Sequence, residues 1–392
     1  MRKRWVAGAA IGAALLCACA HQGGGQSLTP AVLANGQTEA VEAAGSFRIL
    51  HSFSGAPNDG DHPAASLIVV GGVLYGTTYA GGSNNLGTIF KITPRGTESV
   101  VHNFGSSGDG TGPVAELTDV KGALYGVTGA GGSSGNGLIF RLNADGSYDK
   151  LYSFGGGKDG SSPRGGLLAI SGVLYGSTYA GGASDDGTVF KVLKSGAKRT
   201  IADFNNTDGS GPGNAFVAYN GSLFGTTEDG GNNLEGTVVN VTTGGTVKLL
   251  HSFGARSDGN LPRGGLLGVK GTFYGTTFVG GKHSLGTVYK ITPDGTETVL
   301  HSFTGMADSC FPVTTLVNVN GSYYGTTNGG CADNGSIFKI APDGTFTTVY
   351  TFVLTARGVN PDAGLVYYKG RLYGIASAGG KFNKGMVFSV LP

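Results

Sequence analysis

The chain has 392 residues, a formal charge of +2, only 13% charged residues and a single tryptophan, Trp5. So even a balance leaves no electrostatic footprint for nucleic acid, and a nucleic-acid partner is not expected.

Arg2, Lys3 and Arg4 form a positive start, followed by the apolar run Val6 to Leu16. At roughly 1.5 Å per residue, so short a helix falls well below a bilayer core of about 30 Å, so residues 1–18 read as a signal peptide. The segment Leu16-Cys17-Ala18-Cys19 resembles a bacterial lipobox, and the resemblance implies cleavage before Cys19 and its acylation. Acyl chains would hold the protein on a membrane surface. With Ala20 after the cysteine, the sorting rule that accompanies the lipobox favours the outer membrane. Removing the three basic residues of the signal brings the formal charge from +2 to −1. Residues 19–45 are poor in aromatic and β-branched side chains and read as a flexible tether.

From there the sequence repeats. LYGTTYAGG (74–82) returns as LYGVTGAGG (124–132), LYGSTYAGG (174–182), LFGTTEDGG (223–231), FYGTTFVGG (273–281), YYGTTNGGC (323–331) and LYGIASAGG (372–380). A period close to 50 residues signals a propeller or a solenoid. The first unit reads as four strands: A at 65–70, B at 73–80, C at 87–92 and D at 97–104. Strands C and D are joined by TPRG, and in other units by NADG, TPDG or APDG, which supply the positive φ that tight hairpins need. Four short antiparallel strands make a propeller blade.

Strands A, B and C occur seven times. The last unit ends at MVFSVLP (386–392) without a strand D, whereas FRILHSF (47–53) is a strand D without its own unit. A ring closes if the N-terminal strand completes the last blade, which also removes sheet edges open to aggregation. The expected architecture is an all-β, seven-bladed β-propeller over residues 46–392.

Repetition separates packing from chemistry. Tyr75, Tyr125, Tyr175, Tyr274, Tyr324 and Tyr373 share a column with Phe224, so the hydroxyl is dispensable and the ring is packing material. Gly76 and its six equivalents never vary, which marks close approach of another group, expected from the neighbouring blade. His51, His102, His251 and His301 alternate with Tyr152, Ala202 and Tyr350, and the ring disperses them, so they are expected to be structural. Asp-Gly pairs such as Asp59-Gly60 and Asp109-Gly110 read as turn formers. One carboxylate per loop falls short of the 6–8 oxygens that calcium takes. No metal and no cofactor are expected.

The recurring pattern of LHSF, DG, P, LYGTT, GG, GT and FKI resembles the choice-of-anchor tandem repeat family of the GloVer type, over about residues 46–392. That resemblance implies an extracytoplasmic protein with an anchor and brings no established activity. The GG after strand B is also similar to kelch blades, but the kelch tryptophan is missing, so only the architecture is shared.

In a propeller the D–A and B–C loops share one face, and here they are the longer ones, so a site is expected on that face. Cys310 and Cys331 lie in these two loops of blade six. They remain as an even pair in an oxidising compartment and are expected to form a disulfide. Candidate binding residues are those breaking the symmetry of the B–C loops: Asp185 and Asp186 in blade three, Glu228, Asp229, Asn233 and Glu235 in blade four, and Lys282 and His283 in blade five. Nucleotide, zinc-protease and serine-hydrolase motifs are missing. The sequence therefore points to a monomeric binding or scaffold propeller of the cell envelope, engaging an envelope protein or a polysaccharide. The alternative is a hydrolase or lyase acting on a glycan or peptide through the acidic B–C loops.

Overall fold

The structure is a computed structural model that describes residues 46–392, apart from 106–107, 194, 256, 306–307, 330, 332 and 353–358. The signal segment, Cys19 and the tether lie outside the described residues. Residues Gly45–Pro392 form one compact unit, a seven-bladed β-propeller of four-stranded antiparallel sheets. The first blade holds strands A (Ile68–Val70), B (Val73–Gly81), C (Thr88–Ile92) and D (Glu98–Asn103) in sheet order A-B-C-D. The seventh holds A (Val366–Tyr368), B (Arg371–Ala376) and C (Met386–Val390), with Phe47–Ser52 as its strand D. Phe47 pairs with Val390 and Ser52 with Met386, so the N-terminal strand closes the ring. Among the described residues there is no α-helix, only a short 3₁₀ turn at Gly157–Asp159.

Local chemistry explains the blade. Every A–B hairpin has two central residues, both with positive φ, as in Gly71-Gly72, Lys121-Gly122 and Asn220-Gly221. This is the type I′ geometry whose twist matches the strands it joins. Each C–D pairing carries a one-residue register shift, at Ile89/Phe90 in the first blade, and such bulges increase strand twist. Strand A is shorter than the expected 65–70, because residues 65–67 bend away from the sheet into the approach to the central axis.

The invariant glycines are explained differently from the sequence expectation. A Cβ on Gly76 would lie 2.6 Å from Phe90 and 2.8 Å from Leu67, both within the same blade. The close approach therefore comes from the blade's own strand C and its entry into strand A, not from a neighbour. The tyrosine column is what crosses between blades: Tyr175 packs with Leu223, and Tyr274 lies 4.2 Å from Tyr323 between ring centroids. Blade four shows how tightly the glycine site is filled. Its strand C (Thr237–Thr242) carries Val239 where the other blades have an aromatic, and Phe216 replaces the usual leucine, its ring 2.6 Å from where a Cβ on Gly225 would stand. Volume lost on one side is returned on the other.

That exchange is testable. Phe216→Leu alone should cost about 1–3 kcal/mol through a cavity, and Val239→Phe alone a similar amount through overpacking. The double variant restores the arrangement of the other blades, so its cost in denaturant unfolding should fall well below the sum. Additive losses would show that the two sites are independent.

Candidate functional site

The loop-rich face is assembled by one repeated contact. In each D–A loop the residue before the proline donates its N–H to a carbonyl in the B–C loop of the preceding blade. The seven bonds, 2.8–3.0 Å long, are His62 to Lys384, Gly112 to Leu86, Ser162 to Asn136, Gly211 to Asp186, Leu261 to Glu235, Phe311 to Leu285 and Asn360 to Asn334. The proline then seats on the glycine before strand C of that preceding blade, as Pro113 does on Gly87. This delivers the three residues after each proline to the propeller axis.

Those residues form a mouth of about 170 Å³ to which all seven blades contribute. The position directly after the proline is Ala64, Val114, Arg164, Gly213, Arg263, Val313 and Asp362 around the ring. Two positions further on, Ser66, Glu116 and Thr315 interrupt small residues. Glu116 is open to solvent along the axis but enclosed by the other blades' loops, and the loss of hydration pushes its carboxyl up to about 7. Burial likewise pushes Asp362 to about 6, against the lowering effect of a hydrogen bond from Ser377 Oγ at 3.0 Å. The other carboxylate oxygen of Asp362, Oδ1, is buried without a partner among the described residues.

A larger cleft of about 620 Å³ adjoins the mouth and shares Val114 and Arg164 with it. Its origin is one missing side chain. At the fourth residue of the GTTY motif blade one has Tyr79, blade three Tyr179 and blade five Phe278, but blade two has Gly129. Tyr79, 56% exposed, and exposed Leu86 form one wall. Arg164 forms the other end, its guanidinium 4.1 Å over the Tyr179 ring and without a carboxylate partner among the described residues. Arg263 stacks in the same way on Phe278 at 4.0 Å, but its Nε also donates to Glu228 Oε1 at 2.6 Å.

Of the eight candidates expected from the B–C loops, Glu228 is tied to the mouth, through Arg263 and a hydrogen bond from the Tyr179 hydroxyl at 3.2 Å. Asp229 follows it, its carboxyl raised by burial and then by the charge of Glu228. Asp185 is a turn residue with positive φ that accepts the Gly181 N–H, as Asn85 does for Gly81. Asn233 is spent on the Phe253 carbonyl at 2.9 Å. Asp186 and Glu235 accept the interblade bonds through their backbone carbonyls. Lys282 and His283 are exposed at the rim. The B–C loops thus offer a polar rim, not a convergent cleft. Glu116, Arg164, Arg263, Asp362 and Gly129 were missed by reading those loops first. The signal that could have found them is the chemical variety of the positions after an unvarying proline.

The histidines are paired and dispersed around the ring: His51 with Asp59, His102 with Asp109, His251 with Asp258 and His301 with Asp308, at 2.8–3.2 Å. Asp59, Asp109 and Asp258 also accept the N–H of the following glycine, at 2.7–2.8 Å, whereas Asp308 accepts from Thr304 and Gly305, so all four act in their turns. The disulfide Cys310–Cys331 is present, with Cα atoms 6.2 Å apart, and joins the D–A and B–C loops of blade six.

The profile of the Gloeobacter/Verrucomicrobia repeat family matches residues 34–238 and again 212–392. No curated protein matches the chain. Among solved structures, virginiamycin B lyase from Staphylococcus aureus is similar with a TM-score of 0.59 at 14% identity, covering 88% of this chain and 100% of that one. A protein titled a putative 6-phosphogluconolactonase, from Bacteroides uniformis, gives 0.52 at 15% identity over 80% and 90% of the two chains. At these identities the likeness is one of fold.

Because folded Glu116 and Asp362 hold protons more tightly than unfolded carboxyls, they contribute most to stability below the ordinary carboxyl range. That contribution is lost as pH rises through about 6 and 7. Glu116→Gln should therefore flatten the fall in melting temperature between pH 5 and pH 8, roughly the span of these titrations. Carbon-detected NMR of the wild type should show the Glu116 carboxyl titrating near 7; a midpoint in the ordinary glutamate range would mean that the mouth does not desolvate it.

Proposed function

The chain belongs to the Gloeobacter/Verrucomicrobia repeat family, and we propose that it is a lipid-anchored binding propeller of the cell envelope whose loop-rich face takes an acidic polysaccharide. The observation that carries this reading is the cleft opened by Gly129, with an exposed aromatic ring at one end and, at the other, a guanidinium that has no carboxylate partner among the described residues. Tyr79 offers a flat apolar surface to the face of a sugar ring. Arg164 offers two parallel N–H donors to a sugar carboxylate, held flat by its stacking on Tyr179. The size of the cleft suits a short saccharide segment. Anchorage through Cys19 would keep this face close to envelope polymers.

A second reading is favoured by Glu116. A group poised near neutrality can take up a proton, and an arginine that neutralises a uronate carboxylate makes the adjacent carbon-bound proton more acidic. Together these are the elements of a lyase that cleaves acidic polysaccharide by elimination. The S. aureus propeller of similar fold is named a lyase, and at its level of identity it lends the fold and not the site.

Calorimetry with uronate-containing and neutral oligosaccharides separates these readings. Binding should favour the acidic ligand, and Arg164→Gln should weaken it by about tenfold or more. Gly129 has φ outside the left-handed region, and a Cβ there would meet only the Pro163 carbonyl oxygen at an ordinary 3.8 Å, so Gly129→Tyr should fill the cleft and abolish binding without lowering the melting temperature. Release of unsaturated product, lost in Glu116→Gln, would establish the lyase reading. Equal affinity for neutral ligands, or binding unaffected by Gly129→Tyr, would overturn the proposal. In cells, Cys19→Ala protein should leave the membrane fraction; retention would sink the anchor.

A further inference from the structure

The four blade interfaces that carry a His–Asp pair differ in one further side chain. Each His–Asp pair described above faces the first residue of the next blade's strand D. Where that residue is aromatic it stacks on the imidazole: Tyr148 on His102 at 3.9 Å and Phe346 on His301 at 4.1 Å between ring centroids. Between blades two and three, where Tyr152 replaces the histidine, that residue is Lys198, 2% exposed, whose ammonium lies 2.8 Å from Asp159 Oδ1. At two interfaces it is a second carboxylate. Glu98 joins His51 and Asp59 where blade seven meets blade one, and Glu297 joins His251 and Asp258 where blade four meets blade five.

In each of these two clusters one ligand atom from each of the three residues lies within 4.8 Å of the others. His51 Nε2 is 3.1 Å from Asp59 Oδ2 and 4.0 Å from Glu98 Oε2. Ligands bound tetrahedrally to zinc at roughly 2.0–2.2 Å stand about 3.3 Å apart, so side-chain adjustments of no more than about 1.5 Å would bring the three atoms to such spacing. Glu98 is 11% exposed, and its Oε1 is buried without a partner among the described residues, as is Oε1 of Glu297. The aspartates are already oriented by backbone donors, Gly60 and Ser54 on Asp59 and Gly259 on Asp258, as outer-shell contacts orient metal-binding carboxylates. At the related interface the Lys198 ammonium already pairs a cation with the loop aspartate, Asp159.

We propose that the His51–Asp59–Glu98 and His251–Asp258–Glu297 clusters are two binding sites for a divalent first-row transition cation of the zinc class. Imidazole with two carboxylates suits such an ion, whereas magnesium and calcium take oxygen ligands. The ion replaces the proton shared by histidine and aspartate, accepts the unpartnered glutamate and leaves a fourth position for water. At the first site it ties the ring-closing strand Phe47–Ser52 to blade one.

The test is calorimetric titration of chelator-stripped mature protein with Zn²⁺. The expected stoichiometry is two ions per chain, falling to one in Glu98→Gln or Glu297→Gln and to none in the double variant. Circular dichroism should confirm that the variants are folded. Zn²⁺ should raise the melting temperature of the wild type and leave the double variant unchanged. Substituted Co²⁺ should give the strong visible absorption of a low-coordinate site. No binding by the wild type, or two ions still bound by the double variant, would overturn the proposal. Loss of an ion in only one single variant would confine the site to that interface.

Discussion

One backbone hydrogen bond, made seven times, organises this protein. The N–H of the residue before each D–A proline reaches the B–C loop of the preceding blade, and the last of these bonds joins blade seven to blade one through His62 and Lys384. It forces that residue into a left-handed conformation. Two of the seven are glycine, but His62, Ser162, Leu261, Phe311 and Asn360 adopt it with full side chains. Such conformations cost of order 1 kcal/mol each and persist where the surroundings over-determine them. Here the ring does so. Since the bond is made by backbone, the side chain directly after the proline is free to vary and is still carried to the axis, while residues beyond it, such as Ser66 and Thr315, bond the neighbouring loops.

This division explains how a repetitive chain builds an unsymmetrical site. Core positions change only in compensated pairs, as Phe216 and Val239 do around Gly225. Interface positions change as sets, so that Lys198, Tyr148 or Glu98 each meets the loop aspartate with a different chemistry. Positions at the mouth change freely, from Val114 to Arg164 to Asp362. The way a column varies thus reports what constrains it, and the unconstrained columns surround the axis. Deleting a side chain can matter as much as adding one: Gly129 in place of an aromatic ring leaves the cleft beside Arg164.

Much of the fold was legible in the sequence because propeller strands are local. The period, the Asp-Gly turns and the orphan strand at 47–53 fix the blades, their number and the closure without any long-range inference. The Cys310–Cys331 pairing was legible for the same reason, since both residues belong to one blade. The candidate site was less legible. The B–C loop acids looked functional because they break symmetry, yet whether such a residue faces the axis depends on the turn it sits in. Asp185 turns its carboxylate back onto Gly181, whereas Glu228 reaches Arg263 on the next blade. Sequence alone points the glycine column at the neighbouring blade, and not at the blade's own strand C, because a period gives spacing along the chain and not which face of a strand is covered. Glu116 is unremarkable in sequence; its raised carboxyl arises only when loops from all seven blades enclose it.

The central claim is that the asymmetric face between Tyr79 and Arg164 receives the ligand. A crystal structure grown with a short uronate oligosaccharide tests it most directly. The account predicts a sugar ring lying on Tyr79 in the space left by Gly129, with its carboxylate on the guanidinium of Arg164. An oligosaccharide seated instead on the outer rim at Lys282 and His283, or on the opposite face of tight hairpins, would contradict it.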